Sequence, residues 1–124
     1  MREDPLIARN EPLTCSVAYG PGYTVVSVKG EIDASTEESF RDRLTSVLSD
    51  GVTRVVVDLK GVNFMASAGI GVLMGVRRVL ADGGGHLVLA APHGEVAQVL
   101  AMTGVSDVIP VTKSVADAVA RLDS

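Results

Sequence analysis

Arg-Val-Val-Val-Asp-Leu, from Arg54 to Leu59, limits the folds open to this chain more than any other stretch. Three adjacent valines with no polar residue between them leave a strand no face to turn to water. Such a strand is covered on both sides, and strands of that kind occur in parallel sheets flanked by helices. His-Leu-Val-Leu-Ala-Ala, from His86 to Ala91, is a second run of the same type. Between them the pattern predicts a helix from about Ala68 to Ala81, stopped by Asp-Gly-Gly-Gly.

The remaining elements fit around these two strands. Leu13 to Gly20 reads as a first strand, Pro21-Gly22 as a turn, and the alternating Tyr-Thr-Val-Val-Ser-Val-Lys-Gly as a second strand closing a hairpin. Val26 and Val28 share one face of it, and Val25, Ser27 and Lys29 share the other. Ser35 followed by Glu38 has the spacing of a capping box. Phe40, Leu44, Val47 and Leu48 then form one apolar helical face that ends near Gly51. A third helix is predicted after Pro92, with Val96, Val99, Leu100 and Thr103 inward and Gly104 as its stop. Asp-Val-Ile-Pro-Val is predicted as a short strand, and Val115, Ala118, Val119 and Leu122 as the inner face of a last helix. The predicted order is β-β-α-β-α-β-α-β-α. It describes a single α/β domain over residues 13–124, with a mixed, mostly parallel sheet, an N-terminal hairpin and about four helices. Residues 1–12 carry two prolines and no periodicity and are predicted to be a flexible arm.

Composition narrows the function. With 124 residues there is one core to build. A net charge of -4, two Phe, two Tyr and no Trp supply neither a basic stripe nor a stacking platform, so nucleic acid is not expected as a direct partner. Cys15 is the single cysteine, which excludes an internal disulfide and a multi-thiolate metal site. The opening residues hold no apolar signal core and no run reaches transmembrane length, so the expectation is a cytoplasmic protein without membrane insertion. His86 and His93 lack metal-ligand spacing or a nucleophile partner. Ala-Asp-Gly-Gly-Gly-His-Leu follows a helix and precedes a strand, the reverse of a phosphate-binding loop. Asp58 ends a strand, with no second carboxylate placed beside it by spacing. Neither a catalytic nor a metal site is expected.

Asn-Phe-Met-Ala-Ser-Ala-Gly-Ile-Gly-Val-Leu, from Asn63 to Leu73, is the unusual segment. It places Ser67 between two alanines, and Gly69 and Gly71 where a helix begins, although glycine costs about 1 kcal/mol relative to alanine in a helix. The loop after a parallel strand lies at the carboxyl edge of the sheet, where the next helix presents free N–H groups and a partial positive charge. A serine there either caps the helix or presents its hydroxyl to an anion or a partner. A phosphate on Ser67 would suit the helix end, while its added charge would disrupt an interface built over it. Ile70, Leu73, Val76 and Leu80 can face the sheet. Val72, Met74 and Val79 fall partly elsewhere, leaving a broad apolar circumference. Gly71 and Gly75 form a small-residue ridge, suited either to close packing on the sheet or to docking.

Taken together, Gly-Glu-Ile-Asp after a strand, Val-Val-Val-Asp-Leu-Lys-Gly-Val-Asn-Phe-Met-Ala-Ser-Ala-Gly-Ile-Gly-Val-Leu, and the C-terminal Val-Ala-Gln-Val-Leu-Ala-Met-Thr-Gly-Val-Ser-Asp-Val-Ile-Pro-Val resemble the STAS domain of bacterial anti-sigma factor antagonists. The resemblance runs from about Leu13 to Leu122. It implies a regulatory binding protein, not an enzyme. Its partner would be an anti-sigma factor serine kinase, with ATP bound by that kinase, and a phosphatase would reverse the modification; no cofactor is implied for this chain. The unphosphorylated form would bind the kinase and free a sigma factor. The family motif, similar to Phe-Met-Asp-Ser-Ser-Gly-Leu-Gly, falls on Phe64 to Gly71, so Ser67 matches the phosphoacceptor. Asp33 matches the family's acidic residue after the second strand. The implied partner surface comprises Asp33, Ala66, Ser67, Ala68, Gly69, Ile70, Val72 and Met74. Ala66 departs from the pattern, standing where the family usually has aspartate. A STAS module of another assembly, such as a transporter accessory subunit or a stress-sensing complex, is the alternative implied. Oligomeric state is left open, a weak dimer included.

Overall fold

The computed structural model describes residues 13–123. The proposed arm at residues 1–12 lies outside them. A five-stranded sheet in the order β1-β2-β3-β4-β5 forms the centre. β1 (Leu13–Gly20) and β2 (Tyr23–Ile32) make the antiparallel hairpin, and β3 (Arg54–Met65), β4 (His86–Ala90) and β5 (Val111–Thr112) continue parallel to β2. Helices α1 (Glu37–Ser49), α2 (Ser67–Asp82), α3 (Gly94–Met102) and α4 (Val115–Asp123) connect and follow the strands.

The valine run has the double cover it requires. Val55 and Val57 join the larger core with Phe40 and Leu44 of α1, Leu73, Val76 and Leu80 of α2, and Val96 and Leu100 of α3. Val56 points the other way, into a smaller core with Val25, Val88, Ala118 and Leu122. Among the described residues one helix, α4, covers a face that the other three leave bare.

Four local expectations are corrected. β3 does not stop at Leu59 but runs on to Met65. It uses two more residues than β2 between the Ser27–Asp58 and Ile32–Met65 pairs, so the ladder is bulged twice. Gly61 permits one bulge, since a Cβ there would lie 2.9 Å from the Val28 carbonyl oxygen. Ser35 and Glu38 form no capping box. The N-cap of α1 is Thr36, which has no side-chain cap bond to its helix. Its buried hydroxyl donates to the Glu31 carbonyl at 2.7 Å and accepts the Asp33 amide at 2.9 Å. Asp-Val-Ile-Pro-Val is not a strand throughout: Val105–Asp107 is a 3-10 turn and pairing is confined to Val111 and Thr112. On α3, Thr103 is exposed and donates to the Val99 carbonyl at 2.6 Å instead of packing inward.

Candidate functional site

The site is assembled by the bulged ends of β2 and β3. Ile32 pairs with Met65, and the Ala66 amide donates to the Ile32 carbonyl at 2.8 Å. Asp33 and Ser67 therefore leave neighbouring strands at the same sheet edge. Asp33 is committed to its own turn: its carboxylate accepts the Ser35 amide at 2.9 Å and the Ser35 hydroxyl at 2.7 Å. These bonds, the hydroxyl's first, hold the carboxyl below its ordinary value.

Ser67 is not the cap of α2. Ala66 occupies the N-cap with extended backbone (φ -84, ψ 169) and has no side chain with which to cap. Ser67 is the first helical residue. It is exposed, and its hydroxyl has no hydrogen bond within the described residues. The Ala66 carbonyl takes the Gly69 amide at 2.9 Å, while the Ser67 and Ala68 amides have no backbone acceptor among the described residues. The first turn of α2 carries no acidic side chain. The edge thus combines a free hydroxyl, free amides and an uncompensated positive helix end.

The glycines divide into two kinds. Gly69 is buried, and a Cβ on it would stand 2.6 Å from Ile32 Cγ2 and 3.0 Å from Met65 Cγ. It seats the helix on the sheet and is not a contact for a partner. Gly71 and Gly75 are exposed, with nothing within 4 Å of an added Cβ, so their ridge does not serve helix-on-sheet packing. Val72 is corrected as well: at 4% exposure it is part of the core with Leu73 and Val76, while Ile70 is half-buried at its edge. Ala66, Ala68 and Met74 are half-buried, and Val79 is 58% exposed. Phe64 was not singled out by pattern reasoning. It is 39% exposed as the penultimate residue of β3, three residues before Ser67. Its sequence signal is its place as the first residue of the stretch that matches the family motif, Phe64 to Gly71.

Other candidates lie elsewhere. Cys15 is half-buried on β1, where burial pushes its thiol up and Arg43 partly opposes the shift. His93 Nε2 lies 2.9 Å from the Lys60 carbonyl oxygen. Asp58 accepts the Ser27 hydroxyl at 3.3 Å and the Lys60 amide at 3.0 Å. Among the described residues no three His, Cys, Asp or Glu side chains converge as metal ligands, and no helix is long and apolar enough to cross a membrane.

The family model for the STAS domain matches residues 16–118, and the chain belongs to that family. It is 25% identical over 112 residues to an anti-sigma F factor antagonist of Paenibacillus polymyxa, covering 90% of this chain and 96% of that protein. The crystal structure of an anti-sigma factor antagonist from Mycobacterium paratuberculosis superposes with a TM-score of 0.84 at 27% identity, covering 90% of this chain and 95% of that one. The Bacillus cell fate determinant SpoIIAA in its phosphorylated form shares the fold, with a TM-score of 0.67 at 21% identity over 87% of this chain and 98% of that one.

Proposed function

We propose that this protein is an anti-sigma factor antagonist that binds a kinase-type anti-sigma factor and is released from it by phosphorylation of Ser67. The observation that carries the reading is the Ser67 hydroxyl, exposed and without a hydrogen-bond partner, on a helix whose N-cap is an alanine. The names of the relatives support the antagonist role. The surface offered to the partner is Asp33, Ala66, Ser67, Ala68, Ile70 and Met74, widened by Phe64 and the bare ridge of Gly71 and Gly75.

The switch follows from charge. A phosphate brings about -1.5 to -2 charge and three acceptor oxygens. The free Ser67 and Ala68 amides receive it, so the domain itself tolerates the group. An anti-sigma factor packed over the glycine ridge would have to desolvate it, and that opposes the complex. Ala66 fits this logic: with alanine there, the phosphate has no carboxylate immediately before it.

The test mixes the full chain with a candidate anti-sigma kinase and ATP, maps phosphate by mass spectrometry and measures binding. Phosphate on Ser67, and a Ser67→Glu variant bound at least about tenfold more weakly than wild type, are expected for a charge placed in an interface. No phosphate on Ser67, together with Ser67→Glu binding as tightly as wild type, rejects the switch. Binding intact without phosphate identifies a constitutive antagonist instead.

A further inference from the structure

At the end of the sheet opposite Ser67, β4 starts before β5 pairs with it, and backbone groups on that side of β4 are left unpaired. Leu89 and Ala91 donate their amides toward β5, to the Pro110 and Thr112 carbonyls, each at 2.9 Å. His86 donates the other way, to Thr53 at 2.8 Å. By this alternation the Leu87 N–H and C=O point to the β5 side. No β5 residue reaches them, because pairing begins at Leu89↔Val111. Pro110 has no N–H to extend the ladder, and the chain before it turns away through the 3-10 segment. The open edge forms the floor of a groove of about 400 Å³. Its walls come from opposite faces of the sheet, Arg77 and Ala81 on α2 and Arg121 and Leu122 on α4. Arg77, His86 and Arg121 line it, and no carboxylate among the described residues does, in a chain whose net charge is -4; the charge open to a ligand is that of Arg77, since Arg121 is already engaged. Arg77 makes no hydrogen bond or ion pair within the described residues.

We infer that this groove binds a short, acidic, extended peptide segment of a partner protein, paired with Leu87 as a stub of a sixth strand and held by its carboxylate at Arg77. An added strand needs a residue's N–H and C=O together on an unpaired edge, and Leu87, 4% exposed at the floor of the groove, supplies both. The apolar walls at Val108 and Leu122 suit the alternating side chains of such a strand. Sheet edges are commonly guarded by charge. The volume falls within the range of small-ligand sites, about 300–1,000 Å³.

The test adds the blocked pentapeptide acetyl-Val-Glu-Val-Glu-Val-amide to the full, isotope-labelled chain at about 2 mM, a concentration suited to weak binding. The expected result is a shift of the Leu87 amide resonance with slowed hydrogen exchange at that amide. The same peptide with lysine for glutamate should leave both unchanged. Arg77→Gln should weaken binding about fivefold or more, the loss of a charge-assisted contact. Ala81→Trp, on the exposed side of α2, should block the groove while the melting temperature stays near wild type. Should that variant unfold, Arg77→Gln with the two peptides still decides the matter. Failure of the acidic peptide to move any β4 amide, or equal binding of the lysine peptide, overturns the proposal. Equal protection of Leu87 by N-acetylglutamate amide also overturns it, making the groove a small-anion site. Ser67→Glu should leave peptide binding intact, which separates this groove from the switch at the other edge.

Discussion

At the residue scale, the two glycines at the start of α2 do opposite work. Gly69 touches Ile32 and Met65 so closely that a methyl group there has no room. Gly69→Ala should destabilise the fold by about 1–3 kcal/mol, the usual cost of overpacking. Gly71 has open space and no positive φ. Gly71→Ala should stabilise by about 0.5–1 kcal/mol, since alanine costs less conformational entropy in a helix. Denaturant midpoints of the two variants should move in opposite directions, and the same direction for both would reject this division. If Gly71 is kept for close approach of the anti-sigma factor, its alanine variant should bind more weakly while unfolding later. Ala66 is the third informative residue. Aspartate at this N-cap would accept an amide of the first turn, so Ala66→Asp should stabilise by about 1 kcal/mol and raise the melting temperature. Sequence displayed these small residues but not their division of labour, because packing against Ile32 and openness to solvent give the same letter, glycine.

At the scale of elements, the site depends on how two strands end. β3 reads as finished at Leu59 because its continuous apolar run ends there, before Lys60 and Gly61. The structure shows why: each bulge shifts the ladder, so Leu59, Val62 and Met65 are buried at intervals of three instead of two. A period-two test is blind to a bulged strand. The helix after it was legible to within a residue, since Leu73, Val76 and Leu80 repeat in phase, but Ile70 and Val72 exchanged places. The start of α1 misled for another reason. Ser35 and Glu38 have capping-box spacing, yet Asp33 captures Ser35 and Thr36 ties back to Glu31. Local side-chain bonds compete with capping, and only coordinates show which wins. This turn has a pH signature. Because the folded carboxyl of Asp33 sits below its ordinary 3.8, its stabilising contribution is present above that value and is lost as pH falls through the lower folded one. The stability difference between wild type and Asp33→Asn should therefore be full at neutral pH and shrink below about pH 4. A difference constant from neutral to acid pH in thermal melts would show that the carboxylate does not hold the turn.

At the scale of the whole molecule, the cover of the sheet is unequal. α1, α2 and α3 share the larger core, while among the described helices only α4 shields Val25, Val56, Val88 and Ala90. The valine run demanded two covered faces, and that demand was legible from Arg54 to Leu59; how unequally the helices would meet it was not, because each amphipathic helix reads alike whichever face it joins. At nine residues α4 is too short to persist by itself. It stays through Ala118 and Leu122, with Val115 and Val119 at its margin, and through the Arg54 guanidinium, which donates to the Leu122 carbonyl and meets Asp123 at 3.2 Å. Leu122→Ala should cost about 2–4 kcal/mol, as for other leucines truncated in a core. Truncation after Ser114 is the stronger test, because it strips the whole face. Val56 at 0% and Val88 at 2% exposure would then meet water across a contiguous apolar patch. The shortened chain should lose its native circular dichroism or aggregate on size exclusion, and Leu122→Ala should remain folded with a lower denaturant midpoint. A truncated chain that elutes as a monomer with native dichroism would mean that the larger core suffices alone. The smaller face would then be dispensable to folding, and the burial of Val56 would no longer explain why the central strand is apolar on both sides.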